Sequence, residues 1–244
     1  MKIINWEQPS EEIVLLDDEI HLWRVNLDIS SEKIAELSNN LSLDEIARAN
    51  HFKFEEHKNH FIAARGFLRQ IISNYLQILS NEIVFNYSDR GKPSIQNDNL
   101  QFNISHSQDL ALYAFCHNHL IGVDLEYLRD DVEYDKIAQR FFTPAESEFI
   151  SKLSLAKQKQ TFFHFWTIKE AYLKATGEGL GGGLETVEID CNADLEVQVK
   201  AIFKSGLQNN DWFFSSFIPQ NDFIATVAIN TDETELKIKY FALN

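Results

Sequence analysis

The stretch FNISHSQDLALYAFCHNHLIGVDLE, residues 102–126, holds three short apolar runs at 102–104, 110–116 and 120–126, separated by only a few polar residues. Breaks this short suit hairpins. A parallel crossover needs roughly a dozen residues, so at least part of this sheet is antiparallel. Before the stretch, Phe61, Ala64, Phe67, Leu68, Ile71, Ile72, Tyr75 and Leu76 recur at the helical period and predict a long amphipathic helix over 57–79. After it, a second long helix is predicted over 158–176, closing at Gly177, with a shorter one opening at Thr143-Pro144-Ala145-Glu146. Ser30 caps a short helix through Leu37, and Ser42 with Glu45 forms a capping-box pattern that opens a helix toward Phe54. Further strands are expected at 19–26, 83–87, 186–189, 196–203, 212–218, 223–229 and 236–241, with a turn at 89–93 (DRGKP). Helices followed by strands thus occur twice, and 48–68 (RANHFKFEEHKNHFIAARGFL) loosely resembles 140–173. The expected fold is α/β of the α+β kind. It has two pseudo-symmetric halves, each a small, mainly antiparallel sheet packed on a long helix, with the active site in the cleft between them.

Composition narrows the function. The chain has 244 residues, 44% apolar and 24% charged, the balance of an ordinary globular protein. No apolar run approaches the roughly 18 residues of a membrane span, and the first twenty residues lack the pattern of a secretion signal. Two cysteines, Cys116 and Cys191, allow one disulfide but no disulfide framework, which points to a reducing cytoplasm. A net charge of −15 argues against nucleic acid as a partner. It also means that any polyanionic ligand needs local cations, and a divalent metal would help.

Three segments carry chemistry. In IGVDLE (121–126), Asp124 and Glu126 share one strand face while Ile121, Val123 and Leu125 take the other. Two carboxylates so placed suit a hard cation such as magnesium, which takes one or two carboxylates plus phosphates and water. Alone, Asp-x-Glu is most often a solvated strand face. In FWTIKEAYLK (165–174), Trp166, Glu170 and Lys174 fall on one helix face. Glu170 and Lys174 also make an ordinary i,i+4 ion pair worth about 0.2–0.5 kcal/mol. In QFNISHS (101–107), Ser105, His106 and Ser107 offer hydroxyls, an imidazole and backbone N–H groups to a phosphate. Adjacent strand residues face opposite ways and no G-x-S-x-G elbow is present, so Ser-His nucleophilic catalysis is not expected. The run 177–183 (GEGLGGG) lacks the Lys-Ser/Thr ending of a P-loop and reads as a helix exit. Cys116, His117 and His119 lack the second cluster of a zinc site. His51, His57 and His60 read as surface residues.

The ordered set Gly91-Lys92-Pro93, FNISHS (102–107), IGVDLE (121–126), RFFTPAE (140–146) and FWTIKEAYLKATGEGL (165–180) resembles the 4′-phosphopantetheinyl transferases. More narrowly, it is similar to the surfactin-synthetase-activating type, monomeric with two halves. The resemblance is strongest over about 90–180. It implies transfer of the phosphopantetheine arm of coenzyme A to a serine of an apo acyl or peptidyl carrier protein, with release of 3′,5′-ADP. It implies magnesium at Asp124, Glu126 and Glu170, proton abstraction by Glu170, and Lys174 near the coenzyme A pyrophosphate. Ser105, His106, Lys92 and, further upstream, Arg48 and Arg65 match nucleotide-end contacts. A second basic position of the family falls at Glu45 or Asn50. By this reading residues 1–119 make the nucleotide-end contacts, 120–225 hold the metal and catalytic site, and 226–244 pack back on the body. Another coenzyme A-using enzyme, such as an acyltransferase, and a non-catalytic carrier-binding relative are the competing readings. Neither requires carboxylates placed as metal ligands.

Overall fold

The computed structural model describes residues 1–10, 13–96, 98–179, 181, 183–192, 197–203, 212–231 and 236–243. Along the first half run β1 (Lys2–Ile3), β2 (Glu19–Asn26), α1 (Ser31–Ser38), α2 (Leu43–Ala49), α3 (Glu55–Leu76), β3 (Phe85–Tyr87), β4 (Pro93–Ile95), β5 (Leu100–Ser107), β6 (Leu110–His117) and β7 (Ile121–Tyr127). The second half adds α4 (Tyr134–Phe141), α5 (Pro144–Ser151), α6 (Leu155–Thr176), β8 (Val187–Cys191), β9 (Val197–Ile202), β10 (Trp212–Ile218), β11 (Phe223–Asn230) and β12 (Lys237–Leu243).

Capping chemistry sets the helix ends. Ser30 Oγ accepts from Lys33 N at α1, and full capping boxes pair Ser42 with Glu45 at α2 and Thr143 with Glu146 at α5. Gly177 ends α6 at φ +75°, a left-handed cap that glycine adopts without a Cβ clash. Helix α2 stops at Ala49 rather than running on to Phe54, because Asn50 caps it and Phe54 is the extended residue that opens α3. Helix α4 and the short strands β1 and β4 had no counterpart in the sequence reading. Residue 196 of the expected strand 196–203, and residues 180 and 182 of the glycine-rich run, lie outside the described residues.

Two four-stranded sheets form the centre, in the orders β12-β2-β6-β5 and β1-β10-β11-β7. Their inner faces meet through Ile20 and Leu22 of β2, Leu110, Leu112 and Ala114 of β6, Val123 and Leu125 of β7, and Ala225 and Val227 of β11. Alternate residues turn outward. Trp23, Val25, Tyr113 and Phe115 pack with α3 through Phe67, Leu68, Ile71 and Ile72. Ile224 and Ala228 join Phe165, Ile168, Ala171 and Tyr172 of α6. The layers are therefore helix, sheet, sheet, helix. Each half is a mainly antiparallel sheet on a long helix, as expected, and β11 runs unbroken through residue 225. Each half also receives a terminal strand from the other side of the chain: β12 pairs parallel with β2, and β1 pairs parallel with β10. No helix among the described residues is long and apolar enough to cross a membrane.

Gly122 sets the distance between β7 and α6. A Cβ there would collide with the Ala171 carbonyl and the backbone of Ala175, so only glycine allows this approach. Gly122→Ala is expected to lower stability by about 1–3 kcal/mol as α6 is pushed away. An unchanged urea midpoint would show that the helix is free to shift.

Candidate active site

Strands β5 and β7 belong to different sheets but lie edge to edge, and alternate side chains of β5 stitch them together. Asn103 Oδ1 accepts from Val123 N at 2.9 Å, Ser105 Oγ from Leu125 N at 3.2 Å and Ser107 Oγ from Tyr127 N at 3.1 Å. The period of two thus gives β5 two functions. Asn103, Ser105 and Ser107 serve β7, whereas Ile104 and His106 face a cleft on the α3 side.

On the α6 face of β7, charges converge. Lys174 Nζ donates to Asp124 Oδ1 at 2.6 Å and to Ser105 Oγ at 2.7 Å, and Ser105 Oγ donates to Asp124 Oδ1 at 3.1 Å. The lysine has left its intrahelical neighbour Glu170 for a carboxylate on another element. Ser107 Oγ reaches Glu126 Oε2 at 3.4 Å. Burial, reinforced by the Asp124 charge, pushes Glu126 up to about 7, and the same two causes push Glu170 up to about 7. Asp124 Oδ2 and Glu170 Oε1 are buried without a hydrogen-bond partner.

Such orphaned, crowded oxygens are of the kind a hard divalent cation takes as donors. Among the described residues no three His, Cys, Asp or Glu side chains are gathered into a ready metal cluster. Magnesium does not need one, since it keeps waters and shares its shell with ligand phosphates. On these grounds Asp124 and Glu170, with Glu126 on the same strand face, fit magnesium.

The residue before Glu170 points the other way. Lys169 is fully buried, and its ammonium donates to Glu146 Oε1 at 2.9 Å, to Leu184 O at 3.0 Å and to Val187 O. Glu146 Oε1 also accepts from Ile189 N at 2.7 Å. One ion pair therefore anchors α5 and β8 to α6 and fixes the rotation that presents Glu170 and Lys174.

The cleft of about 1060 Å³ lies on the other side of β5, walled by α2, α3 and the β3–β4 turn. Arg48, Arg65 and His106 line it, as do His57, exposed as expected for a surface residue, and half-buried His60. Their spacing of three along α3 carried the signal, but the face they share is known only once α3 is packed. His51 stays exposed. His106 stands exposed at the open cleft, yet the protein packed around its ring, then the charges of Lys174 and His60, hold it below the usual imidazole range. Arg48 stacks over Phe61 at 5.3 Å. Arg65 is engaged with Glu45 Oε1 at 2.6 Å and Tyr87 Oη at 2.7 Å, while Arg69, buried, takes Glu45 Oε2 at 2.6 Å. Glu45, one of the two positions (with Asn50) at which the resemblance implies a basic residue, is thus the shared anion of two arginines and part of the cap of α2. Lys92 is not among the residues that line the cleft. Its ammonium donates to Ala175 O at 2.7 Å and Ile121 O at 3.2 Å, and burial lowers it to about 8. Ser105 and His106, adjacent in sequence, serve opposite sides of β5.

Comparison with known proteins identifies the family. Residues 120–228 match the 4′-phosphopantetheinyl transferase superfamily, and residues 28–118 match the 4′-phosphopantetheinyl transferase N-terminal family. The chain is 39% identical to the 4′-phosphopantetheinyl transferase HetI of Nostoc sp. over 229 residues, covering 92% of this chain and 93% of that one. It is 35% identical to the 4′-phosphopantetheinyl transferase gsp of Aneurinibacillus migulanus over 51% of each chain. To the 4′-phosphopantetheinyl transferase Sfp of Bacillus subtilis it is 28% identical, over 70% of this chain and 76% of that one. With both halves matched and a relative aligned along nearly the whole length, the chain belongs to the 4′-phosphopantetheinyl transferase superfamily.

Proposed function

We propose that this protein transfers the 4′-phosphopantetheine arm of coenzyme A to a serine hydroxyl of an apo acyl or peptidyl carrier protein, releasing 3′,5′-ADP, and that it uses magnesium. The observation that carries the proposal is the meeting of Asp124, Lys174 and Ser105 beside two unpartnered buried carboxylate oxygens, one strand away from a cleft lined by Arg48 and three histidines. Residues 1–119 supply the nucleotide-end contacts, 120–225 the metal and catalytic groups, and 226–244 a segment that returns to the body of the molecule.

In the reaction the serine oxygen bonds to the phosphorus that carries pantetheine. The bond from that phosphorus to the 3′,5′-ADP oxygen breaks, and the ADP leaves with the electron pair. Bound at Asp124, Glu126 and Glu170, magnesium would neutralise charge on the phosphoryl oxygens. Glu170 accepts the serine proton. Lys174 shifts from Asp124 toward the departing phosphate. His106, His60, His57, Arg48 and Arg65 hold the nucleotide end, and Ser105 and Ser107 keep β5 and β7 in register. Phosphoryl transfer needs little more than this positioning and charge stabilisation. By this reading the chain is a cytoplasmic monomer, and β5 of the first half meets β7 and α6 of the second within one chain at Ser105, Asp124 and Lys174.

Incubation with coenzyme A, magnesium and an apo carrier domain, read by intact-mass spectrometry, tests this. The carrier gains one phosphopantetheinyl group, and EDTA abolishes the gain. No gain on fatty acid, polyketide or peptide carriers, despite coenzyme A binding, would favour an acyltransferase or a non-catalytic binder. Glu170→Gln is expected to lower kcat by about 10²-fold or more with little change in coenzyme A affinity. Near-normal turnover would remove Glu170 as the base.

A further inference from the structure

The turn between β3 and β4 touches both parts of the site. Tyr87, Gly91 and Pro93 line the cleft, whereas Lys92 and Arg90 reach across to the end of α6. Gly91, at φ +82°, and Ser88, whose hydroxyl accepts from Lys92 N at 3.0 Å, shape the turn. Lys92 Nζ donates to Ala175 O, at the exposed-carbonyl end of α6, and to Ile121 O, the first residue of β7. Arg90 donates to Glu178 O just beyond the helix. Ala175 follows Lys174, and Ile121 begins the strand that carries Asp124 and Glu126. A cation at a helix C-terminus is favourable, and a half-buried one that donates to two carbonyls ties them together.

Resting on the transferase reading, we infer that Lys92 is a positioning residue: it clasps the start of β7 to the end of α6, so that occupation of the nucleotide cleft against the β3–β4 turn orders Lys174 and Glu170. This role differs from direct phosphate contact.

Hydrogen exchange and kinetics on the full chain separate the possibilities. With 3′,5′-ADP as probe, the wild-type amides of 170–176 are expected to gain protection, and Lys92→Met is expected to lose that gain while still binding the probe. In transfer assays Lys92→Met should lower kcat about 10–10²-fold with KM for coenzyme A within about twofold, and Lys92→Arg should recover most of the loss. A raised KM with unchanged kcat would overturn the inference in favour of phosphate contact. Lower thermal stability with normal kcat and normal protection would overturn it in favour of a purely structural tie. Should Lys92→Met not fold, Arg90→Ala, which loosens the same turn, is expected to weaken the ADP-induced protection. Unchanged protection there would count against the clasp. If the protein proved not to be a transferase, the kinetic arms would fall away while the exchange arms still decided the coupling.

Discussion

Asp124→Ala is expected to reduce carrier modification by about 10³-fold or more, without rescue by millimolar magnesium. Asp124 is almost wholly buried and is the one residue to which Lys174, Ser105 and an unpartnered oxygen all belong. Its removal takes away the proposed hard-cation donor and leaves the Lys174 ammonium facing Ser105 alone, so both the charge and the position of the cluster are lost. Asp124→Asn keeps the shape and loses the charge. If charge is what matters, it should fall nearly as far as alanine. Binding of 3′,5′-ADP, assigned in the proposed function to the cleft beyond β5, should change little in either variant. An alanine variant within about tenfold of wild type would remove Asp124 from the reacting centre, provided its thermal stability matches the parent.

The second large effect concerns stability. Lys169→Ala should lower the unfolding free energy by about 3–5 kcal/mol, measured by urea titration. The side chain is 0% exposed, its partner carboxylate is 1% exposed, and the pair also satisfies Leu184 O, Val187 O and Ile189 N. Deleting the cation strands a buried carboxylate, whereas replacing both charges together, as in Lys169→Met with Glu146→Gln, leaves no orphan charge and should recover part of the loss. A single-variant loss below about 1 kcal/mol would mean that water reaches Glu146 and the pair is not a true interior contact.

The fold was legible wherever local chemistry decides. Ser42 with Glu45, Thr143 with Glu146, and Gly177 mark helix ends that depend only on near neighbours, and the expected strand 212–218 is found as Trp212–Ile218. Sheet membership was not legible, since the alternation in Lys237–Leu243 is the same whether that strand pairs with β2 or with β11. Helix α4 was not legible because Tyr134–Phe141 is only eight residues long and packs through half-buried Tyr134, Ile137 and Phe141 around one buried alanine, Ala138. At the site, the common face of Asp124 and Glu126 follows from strand periodicity. The Lys174–Asp124 contact does not, because Glu170 four residues earlier offers a local partner that the folded chain declines. Lys169 likewise reads as one more helical lysine until α5 and β8 close over it.

The parallel placement of β12 beside β2 and of β1 beside β10 means that the molecule cannot be separated into two self-sufficient pieces. A polypeptide cut after β6 would leave β1 on one fragment with its partner on the other, and would strip β2 of β12. Each fragment would then present an unpaired edge of the kind that templates aggregation. Supplied together, the same fragments would be interlocked at both ends, so a split form of this protein should reassemble through its termini rather than through the catalytic seam.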